Sequence, residues 1–82
     1  MESRYRVKYI ERVESIKSWT VPCYGKIWTW RSHTLLGCPV CGVVGNLSNH
    51  DVDWDDLTIH PSVICSDCDA HYWVRGGKIF VI

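Results

Sequence analysis

The chain has 82 residues, 46% of them hydrophobic and 22% charged, with a formal net charge of zero. This length allows one small domain with a thin core, because chains this short bury only about 60–65% of the surface that their unfolded form exposes. A large multi-domain enzyme is excluded by length, a disordered chain by composition, and a helical membrane span by the lack of any apolar run of about 18 residues. A cytoplasmic protein is the expectation, since no apolar leader follows the charged start Met-Glu-Ser-Arg-Tyr-Arg.

The zero net charge hides a polarity along the chain. Residues 1–37 carry seven cations (Arg4, Arg6, Lys8, Arg12, Lys17, Lys26, Arg31) against Glu2, Glu11 and Glu14, a surplus of four. Residues 38–82 hold Arg75 and Lys78 against Asp51, Asp53, Asp55, Asp56, Asp67 and Asp69, a deficit of four. Such asymmetry suits recognition of a patterned surface, or docking of one half on the other.

In chain order, Tyr5, Val7 and Tyr9 alternate with Arg4, Arg6 and Lys8, which predicts a half-exposed strand with a basic outer face. Val13, Ile16 and Trp19 fit a helical turn or a second strand, and Pro22 and Gly25 then punctuate. Residues 26–31, Lys-Ile-Trp-Thr-Trp-Arg, predict a strand from their β-branched and aromatic content, and Leu35 and Leu36 lead into the first cysteine pair.

Cys38-Pro39-Val40-Cys41-Gly42 is followed, after a long insert, by Cys65-Ser66-Asp67-Cys68. Two C-x2-C pairs in one small chain predict a tetrahedral, structural Zn²⁺ site with Cys38, Cys41, Cys65 and Cys68 as ligands. Cysteines three apart sit on a tight turn with both sulfurs aimed at one ion, and the N–H groups of that turn offset the thiolate charge. Gly42 suits a turn that needs positive φ after the second ligand. Disulfides would leave Cys23 over, and a redox C-x-x-C lacks its following helix. A four-thiolate iron site shares the same spacing. Cys23 itself is expected to be a small buried hydrophobe.

Within the insert, residues 51–56 resemble a calcium loop but lack its glycine and its final glutamate, so they read as an acidic loop anchored by Trp54. Pro61 and Ser62 are expected to form a turn supporting the second cysteine pair, and His33 and His50 to be solvated. After that pair, residues 71–74 and 78–82 flank Gly76 and Gly77, the signature of a two-residue β-hairpin. The whole predicts a small β-rich zinc ribbon of antiparallel strands and two zinc knuckles, one domain over 1–82. An N-terminal β-rich region (1–35) packs beside the ribbon (36–82).

Residues 36–82 resemble a family of small zinc-binding domains of bacteriophages and bacteria whose function is uncharacterised. The resemblance is carried by Cys38, Cys41 and Gly42, by Trp54, by Ile59, Pro61, Ser62 and Val63, by Cys68, His71, Tyr72 and Trp73, and by Gly76 or Gly77 with Ile79. It implies a phage or mobile-element origin and a binding role without catalysis. It also offers a second ligand set, Cys38, Cys41, Cys68 and His71, in which His71 replaces Cys65.

The expected function is therefore a non-enzymatic module that binds a host protein or complex of the transcription, defence or CRISPR machinery. The alternative is a nucleic-acid-binding ribbon that uses Arg4, Arg6, Lys8, Lys26 and Arg31 interleaved with Tyr5, Tyr9, Trp28 and Trp30 as a stacking platform. No membrane or small-molecule substrate is expected on either reading.

Overall fold

Why an 82-residue chain with no helical period folds at all is answered by two four-stranded sheets sharing one core in the computed structural model. The structure describes residues 4–14 and 22–82; Ile16, Trp19 and Lys17 lie outside them. The first sheet comprises β1 (Glu11–Arg12), β2 (Lys26–Trp30), β3 (His33–Gly37) and β4 (Val44–Asn46) in that order. The second comprises β5 (Asp51–Asp53), β6 (Thr58–Ile64), β7 (His71–Arg75) and β8 (Lys78–Val81), also in chain order. All neighbours are antiparallel except β1 and β2. Among the described residues there is no helix, and so none that could cross a membrane.

The core follows from strand alternation. Ile27 and Leu36 pair across β2 and β3, while Ile59, Val63, Tyr72 and Val74 line the facing side of β6 and β7, and these six form one buried cluster with Ile10, Cys38, Leu47 and Ala70. Burying each large apolar side chain contributes about 1.5–3 kcal/mol. The opposite face of the first sheet is covered too: Trp28, only 1% exposed, pairs with Leu35 and packs with Cys23, Val13 and Val44. Cys23 is thus the buried apolar residue expected of it. Arg12 lies over the Trp54 ring, its guanidinium 4.9 Å from the ring centre, and so joins β1 to the turn after β5.

Two expected elements form as read. β2 covers the aromatic run, and β7 and β8 make a hairpin through Gly76 (φ +59°) and Gly77 (φ +76°), the left-handed pair that matches strand twist. The N-terminal alternation does not make a strand. Residues 4–10 spread their backbone bonds over several elements: Arg6 N–H donates to Pro39 O, Ile79 N–H to Lys8 O, and Ile10 N–H to Gly77 O. Only Tyr9 forms a bridge, to Lys78, and regular pairing begins at Glu11. Val13, just beyond β1, keeps one bond to the sheet, its N–H donating to Ile27 O at 3.0 Å.

Two other expectations are corrected. Residues 51–53 of the acidic stretch are strand β5, and only 54–57 turn, with Asp53 and Asp56 carboxylates accepting from Asp55 and Thr58 N–H. Trp54 does anchor that turn, half-buried against the core. Pro61 and Ser62 lie within β6, where the register with β7 slips between Ile59 and Val63, rather than in a turn. A proline cannot donate to a ladder and is accommodated at such an irregularity. β3 runs across residues 35 and 36, so the N-terminal region and the first cysteine pair share one sheet.

Candidate metal centre

The cysteine pairs occupy the hairpin ends of different sheets. Cys38 and Cys41 lie between β3 and β4; Cys65 and Cys68 lie between β6 and β7. The two turns repeat the same backbone bonds. Gly42 N–H donates to Cys38 O and Asp69 N–H to Cys65 O, at 2.9 and 2.8 Å, while Cys38 N–H donates to Val43 O and Cys65 N–H to Ala70 O, also at 2.9 and 2.8 Å. The residue after each second cysteine has positive φ, +78° at Gly42 and +60° at Asp69. Gly42 fulfils its expectation twice over, since a Cβ there would also collide with Pro22.

These turns bring all four Sγ atoms within 4.8 Å of one another. Cys38 and Cys68 sulfurs are 3.7 Å apart and those of Cys41 and Cys65 3.6 Å. That is far beyond a disulfide bond of about 2.05 Å. Four sulfurs about 2.3 Å from a central ion define a tetrahedron with edges of about 3.8 Å. Each close contact joins a sulfur of one sheet to a sulfur of the other, so an ion held here would tie the sheets together. The donor set is soft and wholly thiol, which suits Zn²⁺ and also iron.

Backbone donors favour the thiolate form. Val40 and Cys41 N–H groups approach Cys38 Sγ at 3.4 and 3.5 Å. Without an ion these bonds do not outweigh desolvation: burial pushes the Cys38 thiol up to about 12, and burial also raises Cys65 against the N–H groups of Asp67 and Cys68. At Cys68 burial acts in the same direction but is overcome by the Ala70 N–H and the neighbouring thiols, so its pKa is lowered. Protons that burial holds on these sulfurs must leave when a metal enters. Arg4 Nη2 donates to the Cys68 carbonyl oxygen at 2.6 Å, placing a cation of the basic half against the site.

Tyr5 and Tyr72 wall the cluster, their rings edge-to-face with centroids 6.0 Å apart. Burial raises both phenols, and the adjacent cysteines add to the effect. A cleft of about 180 Å³ opens beside Cys38 and Cys65, between β4 and the end of β6.

His71 stands outside the sulfur cluster. Its Nε2 is 2.8 Å from Ser62 Oγ, a bond that ties β6 to β7 just beyond the register slip. His50 is half-buried rather than solvated, and its Nε2–H donates to the Ser62 carbonyl at 3.1 Å. His33 is exposed as expected, accepting from Asn46 Nδ2 at 3.2 Å. Sequence spacing had no means of finding Arg4, 64 residues from Cys68, or the Ser62 and His71 pair.

The residues expected to make a basic aromatic platform in the N-terminal half differ in exposure and partners. Trp28 is buried, Tyr5 packs against the core, and Lys26 is engaged with Glu11 at 2.8 Å. Of the aromatic residues in that set, Tyr9 and Trp30 are exposed, and they lie on different sheets.

Comparison of the chain with protein families, with characterised proteins and with solved structures gave no match.

Proposed function

We propose that the chain is a non-catalytic binding module whose two sheets are fastened by one structural Zn²⁺ on Cys38, Cys41, Cys65 and Cys68. The observation that carries this reading is the four-sulfur cluster drawn from both sheets, with two cross-sheet separations of 3.7 and 3.6 Å close to the edge of a zinc–thiolate tetrahedron. A catalytic zinc keeps one position for water, whereas four thiolates leave none. On this reading the two matching turns are zinc knuckles and the fold is a zinc ribbon enlarged by β1 and β2. Zinc then supplies folding free energy, on a scale of about 10–16 kcal/mol for comparable small sites.

The resemblance to phage and bacterial zinc-binding domains extends the reading to a phage or mobile-element product acting in the host cytoplasm on a host protein or complex. Stripping the metal with a chelator should abolish the cooperative melt, and adding Zn²⁺ back should restore it. Cys38→Ser and Cys68→Ser should each behave like the stripped protein. A melt unchanged by chelation or by Cys38→Ser would refute the structural role. A colourless protein with one equivalent of zinc excludes the iron alternative, which absorbs visible light.

A further inference from the structure

The β7–β8 hairpin, residues 71–82, contains no carboxylate side chain; every aspartate of the second half falls between 51 and 69. Its inner face is core, with Tyr72 and Val74 buried. Its outer face carries Trp73 paired with Phe80 and, one row further, Arg75 paired with Lys78. Tyr9 bridges Lys78 from the other side and so extends the second row. Antiparallel partners project to the same face, so these five side chains form one surface. Phe80 is 44% and Tyr9 62% exposed.

Each ring of the first row is shared with a cation of the second. Arg75 lies over Trp73 at 5.2 Å from its centroid, and Lys78 over Phe80 at 5.4 Å. Between Trp73, Arg75 and Phe80 runs a shallow groove of about 290 Å³. The rows are about 7 Å apart along the strands, which separates the Trp73 and Phe80 rings of the first row from the Tyr9 ring of the second. Arg75 and Lys78 stand at the hairpin end remote from the thiolates, four residues or about 13 Å along β7 from His71. The acidic side chains nearest this end are Asp53 on β5, two strands away through Thr58, and Asp56, whose carboxylate accepts from the Thr58 N–H; the Thr58 hydroxyl in turn accepts from Gly76 N–H.

We infer that this face binds single-stranded nucleic acid, with Trp73, Phe80 and Tyr9 stacking on bases and Arg75 and Lys78 meeting phosphates. Aromatic rings beside cations are the combination that holds single strands without reading sequence. A protein partner would be served better by an apolar centre ringed with polar groups; here the cations lie over the rings themselves. The inference rests on the zinc-fastened fold of the proposed module and adds a nucleic-acid surface, on the last hairpin, to its protein-binding reading.

The test uses the zinc-loaded full chain with fluorescein-labelled dT and rU 12-mers and a 12-base-pair duplex, followed by anisotropy over a salt series. Single strands should bind more tightly than the duplex. Phe80→Ala should weaken binding about 5- to 100-fold, the loss of one stacked base. Arg75→Ala and Lys78→Ala should each flatten the slope of log affinity against log salt by about 0.7. Trp30→Ala, which removes an exposed ring from the other sheet, should change nothing. Should Phe80→Ala fail to fold, Phe80→Leu keeps the apolar area and removes the ring, and the same loss is expected.

No binding at 50 mM salt by a sample that melts cooperatively and holds one zinc would overturn the inference while leaving the zinc reading intact. Equal affinity of the wild type and the ring-less variant would overturn it as well. So would retention of a host protein through Phe80 by a chain that ignores both oligonucleotides.

Discussion

Gly42→Ala offers a sharp test of how the cysteine turns are built. At φ +78° an L-residue costs about 1–2 kcal/mol relative to glycine. The added Cβ would also lie 2.8 Å from Pro22 Cα and closer still to Pro22 Cβ, and it would come 3.2 Å from the Tyr24 ring. Pro22 is ring-locked backbone, so relief requires moving the chain that donates from Cys23 N–H to Gly42 O. An overpacked site of this kind costs about 1–3 kcal/mol more. The sum, about 3 kcal/mol, corresponds to a fall in Tm of roughly 12–24 °C for a domain of this size. Thermal melts of zinc-loaded wild type and variant, followed by circular dichroism with metal content checked, measure it. Asp69→Gly at the matching turn, φ +60°, should act in the opposite direction and stabilise by up to about 1 kcal/mol. A Gly42→Ala melt within 3 °C of wild type would refute the argument from turn geometry.

Arg31 and Ser32 form the β2–β3 turn with φ of +49° and +67°, so Arg31→Asn with Ser32→Gly should raise stability by about 1 kcal/mol in a denaturant titration. Ser62→Ala removes the partner of His71 Nε2 and should cost about 1 kcal/mol, with the zinc content unchanged. Zinc affinity should fall steeply with acidification, because metal must displace protons from thiols; Cys38, pushed up to about 12, is protonated throughout the neutral range in the stripped chain. Zinc titrations of the refolding chain across pH 5–8 should show affinity rising with pH, and a flat profile would refute proton displacement.

The cysteine pairs and the Gly76–Gly77 hairpin were legible because each is a local device: a fixed spacing, or residues that adopt positive φ without cost. The β2–β3 hairpin was not, since Arg31 and Ser32 carry no turn signature and tertiary pairing alone forces them left-handed. The alternation of residues 4–9 misled for a related reason. Period two describes which side chains point inward, and Tyr5 and Val7 are indeed half-buried, but a strand also needs a continuous ladder. Here the backbone divides its bonds between Pro39 and the β8 hairpin. Spacing alone left Cys65 and His71 as rivals; in the structure the Cys65 sulfur lies with the other three, while Ser62 of β6 bonds the His71 ring nitrogen. The surface of Trp73, Arg75, Lys78 and Phe80 was written in the hairpin's own alternation, yet the acidic total of the second half concealed it.

The central claim is that one zinc ion, held by four thiolates, joins the two sheets. X-ray absorption at the zinc edge, on protein whose metal content is measured in parallel, tests it most directly. The account predicts one zinc per chain with four sulfur neighbours at about 2.3 Å. A nitrogen or oxygen neighbour in the shell, or zinc well below one equivalent in a protein that still melts cooperatively, would contradict it.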